Sequence, residues 1–152
     1  MILAIDPGPE ESAYLGMNDS GLPYIFGKVE NLELASFIGK EVNYGELVIE
    51  EIQSYGMPVG KEVLQTARWT GYFESTARDR NKPTIFVGRQ EVKLFWCQSP
   101  RAKDANVRRA LLDYYGPPGT KKAPGVTYGI KKDIWSALAI AGYWHAKQNG
   151  RA

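Results

Sequence analysis

Met1-Ile2-Leu3-Ala4-Ile5-Asp6 is a short apolar run that ends in Asp6-Pro7-Gly8. Pro7 has no N–H for a strand ladder, and Gly8 tolerates backbone angles that other residues avoid. A strand over about residues 2–6 must therefore stop there and turn. Asp6 then stands at a strand end, beside whatever the turn opens onto. Glu46-Leu47-Val48-Ile49-Glu50-Glu51 repeats the pattern, an apolar run closed by carboxylates. A third carboxylate, Asp133, stands just before the apolar stretch Ile134 to Ala146. Two strand-end carboxylates and one at a helix start can converge on divalent metal, an arrangement suited to phosphodiester cleavage.

The first fifty residues read as strand, strand, strand, helix, strand. Ser12 to Met17 forms the second strand and ends in the turn cluster Asn18-Asp19-Ser20-Gly21. Pro23 to Gly27 forms the third, and the three pair as an antiparallel meander. Leu32, Leu34, Ala35, Phe37 and Ile38 mark a short amphipathic helix. Leu47 to Glu50 is continuous rather than alternating, as expected of a strand covered on both faces.

Gly60 to Asp79 lacks proline, and Val63, Leu64, Ala67, Thr70 and Phe73 fall at helical spacing. Thr84 to Val87 is a short strand. Ala105 to Tyr115 is a helix with Val107, Ala110, Leu111 and Tyr114 inward and Arg108 and Arg109 outward. Gly116 to Gly129, with three prolines and four glycines, reads as a surface loop. Asp133 to Lys147 is the last helix, its buried face marked by Ile134, Ala137, Leu138, Ala141 and Trp144. The expectation is one α/β domain over residues 1–152 with a mixed five-stranded sheet. That order is compatible with an RNase H-like fold, and other three-layer α/β folds share it.

Of 152 residues, 43% are hydrophobic, enough for a core without staples. The single cysteine, Cys97, excludes an internal disulfide and reads as a buried small hydrophobe. No apolar stretch approaches membrane-span length, and with the chain opening directly on a strand no signal peptide is expected. A soluble cytoplasmic protein is expected. Charge is unevenly spread. Residues 1–51 hold two basic and ten acidic side chains, and residues 88–132 hold ten basic and three acidic ones. An acidic half that could hold metal beside a basic half that could hold phosphate suits a nuclease.

Ile5-Asp6-Pro7-Gly8, Val48-Ile49-Glu50, and Asp133 followed by Ala137-Leu138-Ala139-Ile140-Ala141 together resemble the RuvC-type Holliday junction resolvases. The resemblance spans almost the whole chain and keeps the order of elements. Ser54-Tyr55-Gly56-Met57-Pro58-Val59-Gly60 resembles the phage and prophage branch of that superfamily. The resemblance implies an RNase H-like three-layer fold with helices on both faces of the sheet. It also implies a homodimeric, Mg²⁺-dependent endonuclease, with Mn²⁺ as a substitute, that nicks branched DNA such as four-way junctions.

On that resemblance Asp6, Glu50 and Asp133 are the catalytic, metal-holding carboxylates. Cellular members carry a fourth aspartate three residues after the third; here that position is Ser136, with Glu51 and Asp104 as nearby substitutes. Lys93 and Lys103 match basic positions that approach the scissile phosphate. Gln53 aligns with a junction-probing aromatic, and Tyr55 lies two residues on, able to stack on an unpaired base. Lys131 and Lys132 flank Asp133 and could hold the DNA backbone, with Arg108 and Arg109 adding longer-range attraction. The long helix over Gly60 to Asp79, with Trp69, Tyr72 and Phe73, is expected to be a dimer element. His145 lies some three turns beyond Asp133, too far to act as a general base.

Other functions remain open on the sequence. One is a nuclease of the same fold acting on RNA–DNA hybrid or structured RNA. Another is a non-catalytic branched-DNA-binding protein that lost a ligand at Ser136. A third is a phosphate-binding module of the actin–sugar kinase type, which the length of 152 residues argues against.

Overall fold

The computed structural model describes residues 1–151. Its five strands are β1 (Ile2–Asp6), β2 (Glu11–Met17), β3 (Pro23–Glu30), β4 (Glu46–Glu50) and β5 (Thr84–Val87). Its helices are α1 (Asn31–Ser36), α2 (Lys61–Arg78), α3 (Arg89–Cys97), α4 (Asp104–Tyr115) and α5 (Ile134–Gln148). The sheet runs in the order β3-β2-β1-β4-β5. The first three strands form the antiparallel meander, and β4 and β5 continue parallel to β1. The expected mixed five-stranded sheet is therefore present, with β1 at its centre.

Side-chain alternation along β1 and β4 divides the core in two. Ile2, Ala4 and Val48 face α3, α4 and α5, joined by Leu111, Leu138 and Ile140. Leu3, Ile5, Leu47 and Ile49 face the other way, against Leu34, Ile38, Phe73 and Ala77 of the α1–α2 side. Both faces of β4 are covered, which explains its continuous apolar run. Most of α5 is buried around its circumference because it lies across the centre of the sheet. Among the described residues no helix is long and apolar enough to cross a membrane.

Several boundaries differ from the sequence expectation. β3 extends to Glu30, and α1 starts at Asn31 and widens into a π-helical turn over Phe37–Glu41. Arg80 donates to the carbonyls of Ile38 and Val42 at 2.8 and 2.7 Å, satisfying groups at that wide turn. Leu32 is exposed, because α1 turns Leu34 and Ala35 inward instead. The buried stripe of α2 is Thr66, Thr70, Phe73 and Ala77. Val63, Leu64 and Ala67, expected inward, lie outside, because the helix turns Thr66, Thr70, Phe73 and Ala77 to the core instead. Tyr114 is also exposed, and Cys97 and Trp144 are only half-buried. The sequence reading placed no element at α3. Its N-cap is Gly88, whose N–H is received by Glu91 Oε1 at 2.5 Å.

Candidate functional site

Strand register brings the first two carboxylates together. Ile5 pairs with Ile49 across parallel β1 and β4. Asp6 and Glu50 are the next residue on each strand, so both leave the sheet at the same edge. Alternation puts them on the Ala4–Val48 face, the one covered by α3, α4 and α5. The turn after Asp6 is braced from within. Gly8 N–H donates to Ser12 Oγ at 3.1 Å, Ser12 Oγ donates to Asn31 Oδ1 at 2.6 Å, and Asn31 Nδ2 donates to the Gly8 carbonyl at 2.9 Å. A Cβ at Gly8 would collide with the Glu11 carbonyl, so this turn needs glycine.

Asp133 reaches the same place from the start of α5. It is the N-cap, yet its side chain caps nothing. Asp133 Oδ2 instead receives Lys28 Nζ at 2.6 Å. The conventional account of an acidic residue at a helix start therefore does not explain its side-chain direction. Lys132, just before it, has φ of 48°. A non-glycine residue in the left-handed region is uncommon and marks a constrained backbone.

A cleft of about 190 Å³ opens here, walled by Glu50, Arg89, Lys93, Asp104, Asp133 and Ser136 among others. Arg108 and Lys132 also line it. Asp6 keeps partial solvent access. Burial, and then the neighbouring Glu50 and Asp133 carboxylates, push Asp6 up to about 8, against the Arg89 guanidinium. Burial also raises Glu50, opposed by Arg89 and Lys93. Burial is thus the main cause at both positions, and at Asp6 the neighbouring carboxylates add to it.

The donor set is all oxygen, the preference of Mg²⁺ and Mn²⁺, and a divalent cation would offset both the burial of the Asp6 charge and its repulsion by Glu50 and Asp133. In these respects the residues fit such an ion. Among the described residues, however, no three His, Cys, Asp or Glu side chains stand close enough to form a ready-made cage. Glu50 and Asp133 are instead engaged by basic side chains. Arg89 Nε lies 3.2 Å from Glu50 Oε1, and Lys28 holds Asp133.

The remaining expected residues divide clearly. Lys93 lines the cleft, mostly buried, 3.7 Å from Asp104. Asp104 and Ser136 are in the wall. Arg108 is there too, its guanidinium 5.8 Å from the Trp135 ring centroid. It is therefore nearer the site than a long-range role requires. Glu51 is exposed and does not line the cleft; its N–H continues the ladder to the Val87 carbonyl at 2.8 Å. Lys103 precedes α4 and Lys131 precedes Lys132, both exposed and outside the wall. Arg109 faces out and pairs with Asp113 at 3.3 Å. Gln53 and Tyr55 sit on the exposed loop after β4. Tyr55 has φ of 52° and lies within the field of Glu50 and Arg89. His145 is remote, against the Asp19 carbonyl at 3.0 Å.

Sequence reasoning missed Lys28 and Arg89. Lys28 had a signal, being one of two basic residues in an acidic stretch. Arg89 had none, because it is one of ten basic residues in its segment and its partner comes from a distant strand.

No protein-family model and no curated protein matches the chain. Solved structures match its fold over nearly the full length. The Thermus thermophilus RuvC structure gives a TM-score of 0.68 at 18% identity, covering 99% of this chain and 97% of that one. T. thermophilus RuvC in complex with Holliday junction substrate gives 0.70 at 16% identity, covering 99% and 96%. The yeast mitochondrial Holliday junction resolvase Ydc2 gives 0.65 at 12% identity, covering 97% and 80%. The chain has the RuvC-like form of the RNase H fold.

Proposed function

We propose that this chain is a metal-dependent endonuclease that nicks branched DNA, with four-way junctions as the leading substrate. The observation that carries the reading is that Glu50 and Asp133, from separate elements, wall one basic-lined cleft, with Asp6 on the strand beside Glu50 and raised by both carboxylates. The RuvC-like fold supports it, since one similar structure is T. thermophilus RuvC in complex with Holliday junction substrate. The segment Ser54 to Gly60 supports placing it in the phage and prophage branch.

Mg²⁺ or Mn²⁺ held by Asp6, Glu50 and Asp133 would supply an activated water and a counter-charge for the leaving oxyanion. The chain's own groups do the rest. Lys93, fixed in the cleft wall, meets the scissile phosphate and offsets charge that grows in the transition state. Arg108 and Lys132 hold the flanking backbone. Tyr55, on its exposed loop, offers a ring face to an unpaired base at the branch point. Asp104 is the carboxylate in the cleft wall that stands nearest in role to the missing fourth ligand, while Ser136 contributes only a hydroxyl.

A homodimer matches the two-fold character of a four-way junction. The outer side of α2 leaves Leu64 and Tyr72 exposed, with Met57 and Val59 close in sequence on the preceding loop. That apolar surface is the proposed dimer face.

A non-catalytic junction-binding protein is the second reading. Ser136 at the fourth position and basic side chains on two of the three carboxylates favour it. A substrate panel separates the readings. Labelled four-way DNA, flap DNA and RNA–DNA hybrid are incubated with Mg²⁺ and with EDTA. Nicking of four-way DNA in Mg²⁺ alone supports the proposal, preference for hybrid moves the chain to an RNase H-type activity, and binding without nicking leaves the non-catalytic reading.

A further inference from the structure

One lateral row crosses the sheet at the level of the cleft. Lys28 pairs with Ala13 across β3 and β2, and Ala13 pairs with Asp6 across β2 and β1. Glu50 pairs with Val87 across β4 and β5, two residues before Arg89. Laterally paired residues share a face. The row therefore reads lysine, alanine, aspartate, glutamate, valine, with an arginine just past its end. A basic group flanks the carboxylates on each side, and small Ala13 leaves Lys28 room to pass over β2.

Each basic group holds one outer carboxylate, Lys28 on Asp133 at 2.6 Å and Arg89 on Glu50 at 3.2 Å. Asp6 lies between them with no ion-pair partner among the described residues. Arg89 is itself held in place. It is the first residue of α3, and Glu91 braces that start by receiving Gly88 N–H through Oε1 and Tyr143 Oη–H through Oε2, the latter at 2.8 Å. Lys28 and Arg89 both remain partly open to solvent.

We propose that Lys28 and Arg89 are resident counter-ions of the carboxylate site, which occupy Asp133 and Glu50 until a divalent cation takes their place and then turn to the DNA phosphate. This rests on the reading of Asp6, Glu50 and Asp133 as the metal's ligands. An ammonium or guanidinium and a divalent cation compete for the same carboxylate oxygens. The resident pair keeps three carboxylates from repelling one another apart in the metal-free protein, and it weakens metal binding as long as DNA is absent. Once displaced, each group is a free cation at the rim of the cleft, where a phosphate can receive it. Metal and DNA then favour each other's binding, because each releases or engages the same two side chains.

The test is calorimetric titration of the DNA-free chain with Mn²⁺ at pH 8, using wild type, Lys28→Met, Arg89→Met and Asp6→Asn. Lys28 is exposed enough that Lys28→Met should fold normally. Lys28→Met and Arg89→Met should each bind Mn²⁺ about fivefold more tightly than wild type, the scale of one exposed ion pair removed. Unchanged or weaker Mn²⁺ affinity in both would overturn this inference alone, provided Asp6→Asn loses binding. If no form binds Mn²⁺, or if Asp6→Asn binds like wild type, the ligand assignment falls and takes the inference with it. A second arm reads four-way DNA affinity against salt. In Ca²⁺ the slope for Lys28→Met should be lower than wild type by about one unit, and in EDTA the two slopes should coincide. Equal slopes in Ca²⁺ would remove the proposed turn toward phosphate.

Discussion

Asp6 and Glu50 each stand one residue beyond the Ile5–Ile49 pair, at the carboxyl ends of adjacent parallel strands. Sheet geometry alone therefore sets them side by side on one face, without help from any loop. The third carboxylate needs long-range structure, because α5 must lie across that face with its N-terminus over the strand ends. A site built this way sits on rigid elements, and its electrostatics follow from the burial of Asp6 and Glu50, with Asp133 open to water beside them.

The first consequence concerns pH. Asp6 is raised from 3.8 to about 8 in the folded, metal-free protein. Between those values the folded chain keeps a proton that the unfolded chain has lost. Its contribution to stability is therefore full below about pH 4 and disappears as pH rises toward 8. In EDTA, Asp6→Asn should match wild type near pH 4 and exceed it at pH 8 by at least about 1 kcal/mol. Urea unfolding at several pH values checks this, and a stability gap that does not widen with pH would count against it.

Protons and metal compete for Asp6. Mn²⁺ affinity of the DNA-free protein should therefore climb steadily from pH 6 to about 8 and then level off. Titrations at fixed ionic strength follow the trend. An affinity flat across that range would mean that Asp6 is already ionised or does not hold the metal.

Lys93 and Arg109 separate contact from distant attraction. Lys93 is in the cleft wall and Arg109 is outside, paired with Asp113. Lys93→Ala should lower the slope of log affinity against log salt by about one unit and slow nicking of bound DNA. Arg109→Ala should leave the single-turnover rate at saturating enzyme nearly unchanged. Equal effects of the two substitutions on that rate would move the phosphate path away from Lys93.

Leu64 tests the dimer. It is 55% exposed on the outer side of α2. Leu64→Glu should yield a monomer by light scattering at micromolar concentration while leaving the thermal midpoint within a few degrees, because a surface change there disturbs no core contact. A wild-type chain that is already monomeric, with and without four-way DNA, would refute the proposed dimer face.

Much of the fold could be read from residue pattern, for reasons that the elements make plain. β1, β4 and α5 announce themselves because their burial is nearly complete and their boundaries are fixed by Pro7-Gly8, by Glu50-Glu51 and by Asp133. α3 carries Val92, Phe95 and Trp96 at helical spacing, but it is only nine residues long and starts after Gly88, which has no side chain to cap it, so local pattern marks it weakly. The buried face of α2 was misjudged because Thr66 and Thr70, polar by type, turn their hydroxyls back to the carbonyls of Glu62 and Ala67 and so can be buried. The three carboxylates were legible as element ends. The Arg89–Glu50 and Lys28–Asp133 pairs were not, because they depend on which elements face each other and no local pattern encodes that.

The central claim is metal-dependent cleavage at the three carboxylates, and single-turnover nicking of a labelled four-way junction tests it most directly. Wild type and Asp6→Asn are compared at saturating enzyme in Mg²⁺, with EDTA as control and with junction binding measured in parallel in EDTA. The account predicts that wild type nicks only in Mg²⁺, and that Asp6→Asn binds the junction as tightly but loses cleavage by at least about a thousandfold. Cleavage by Asp6→Asn at the wild-type rate, or wild-type cleavage that persists in EDTA, would contradict it.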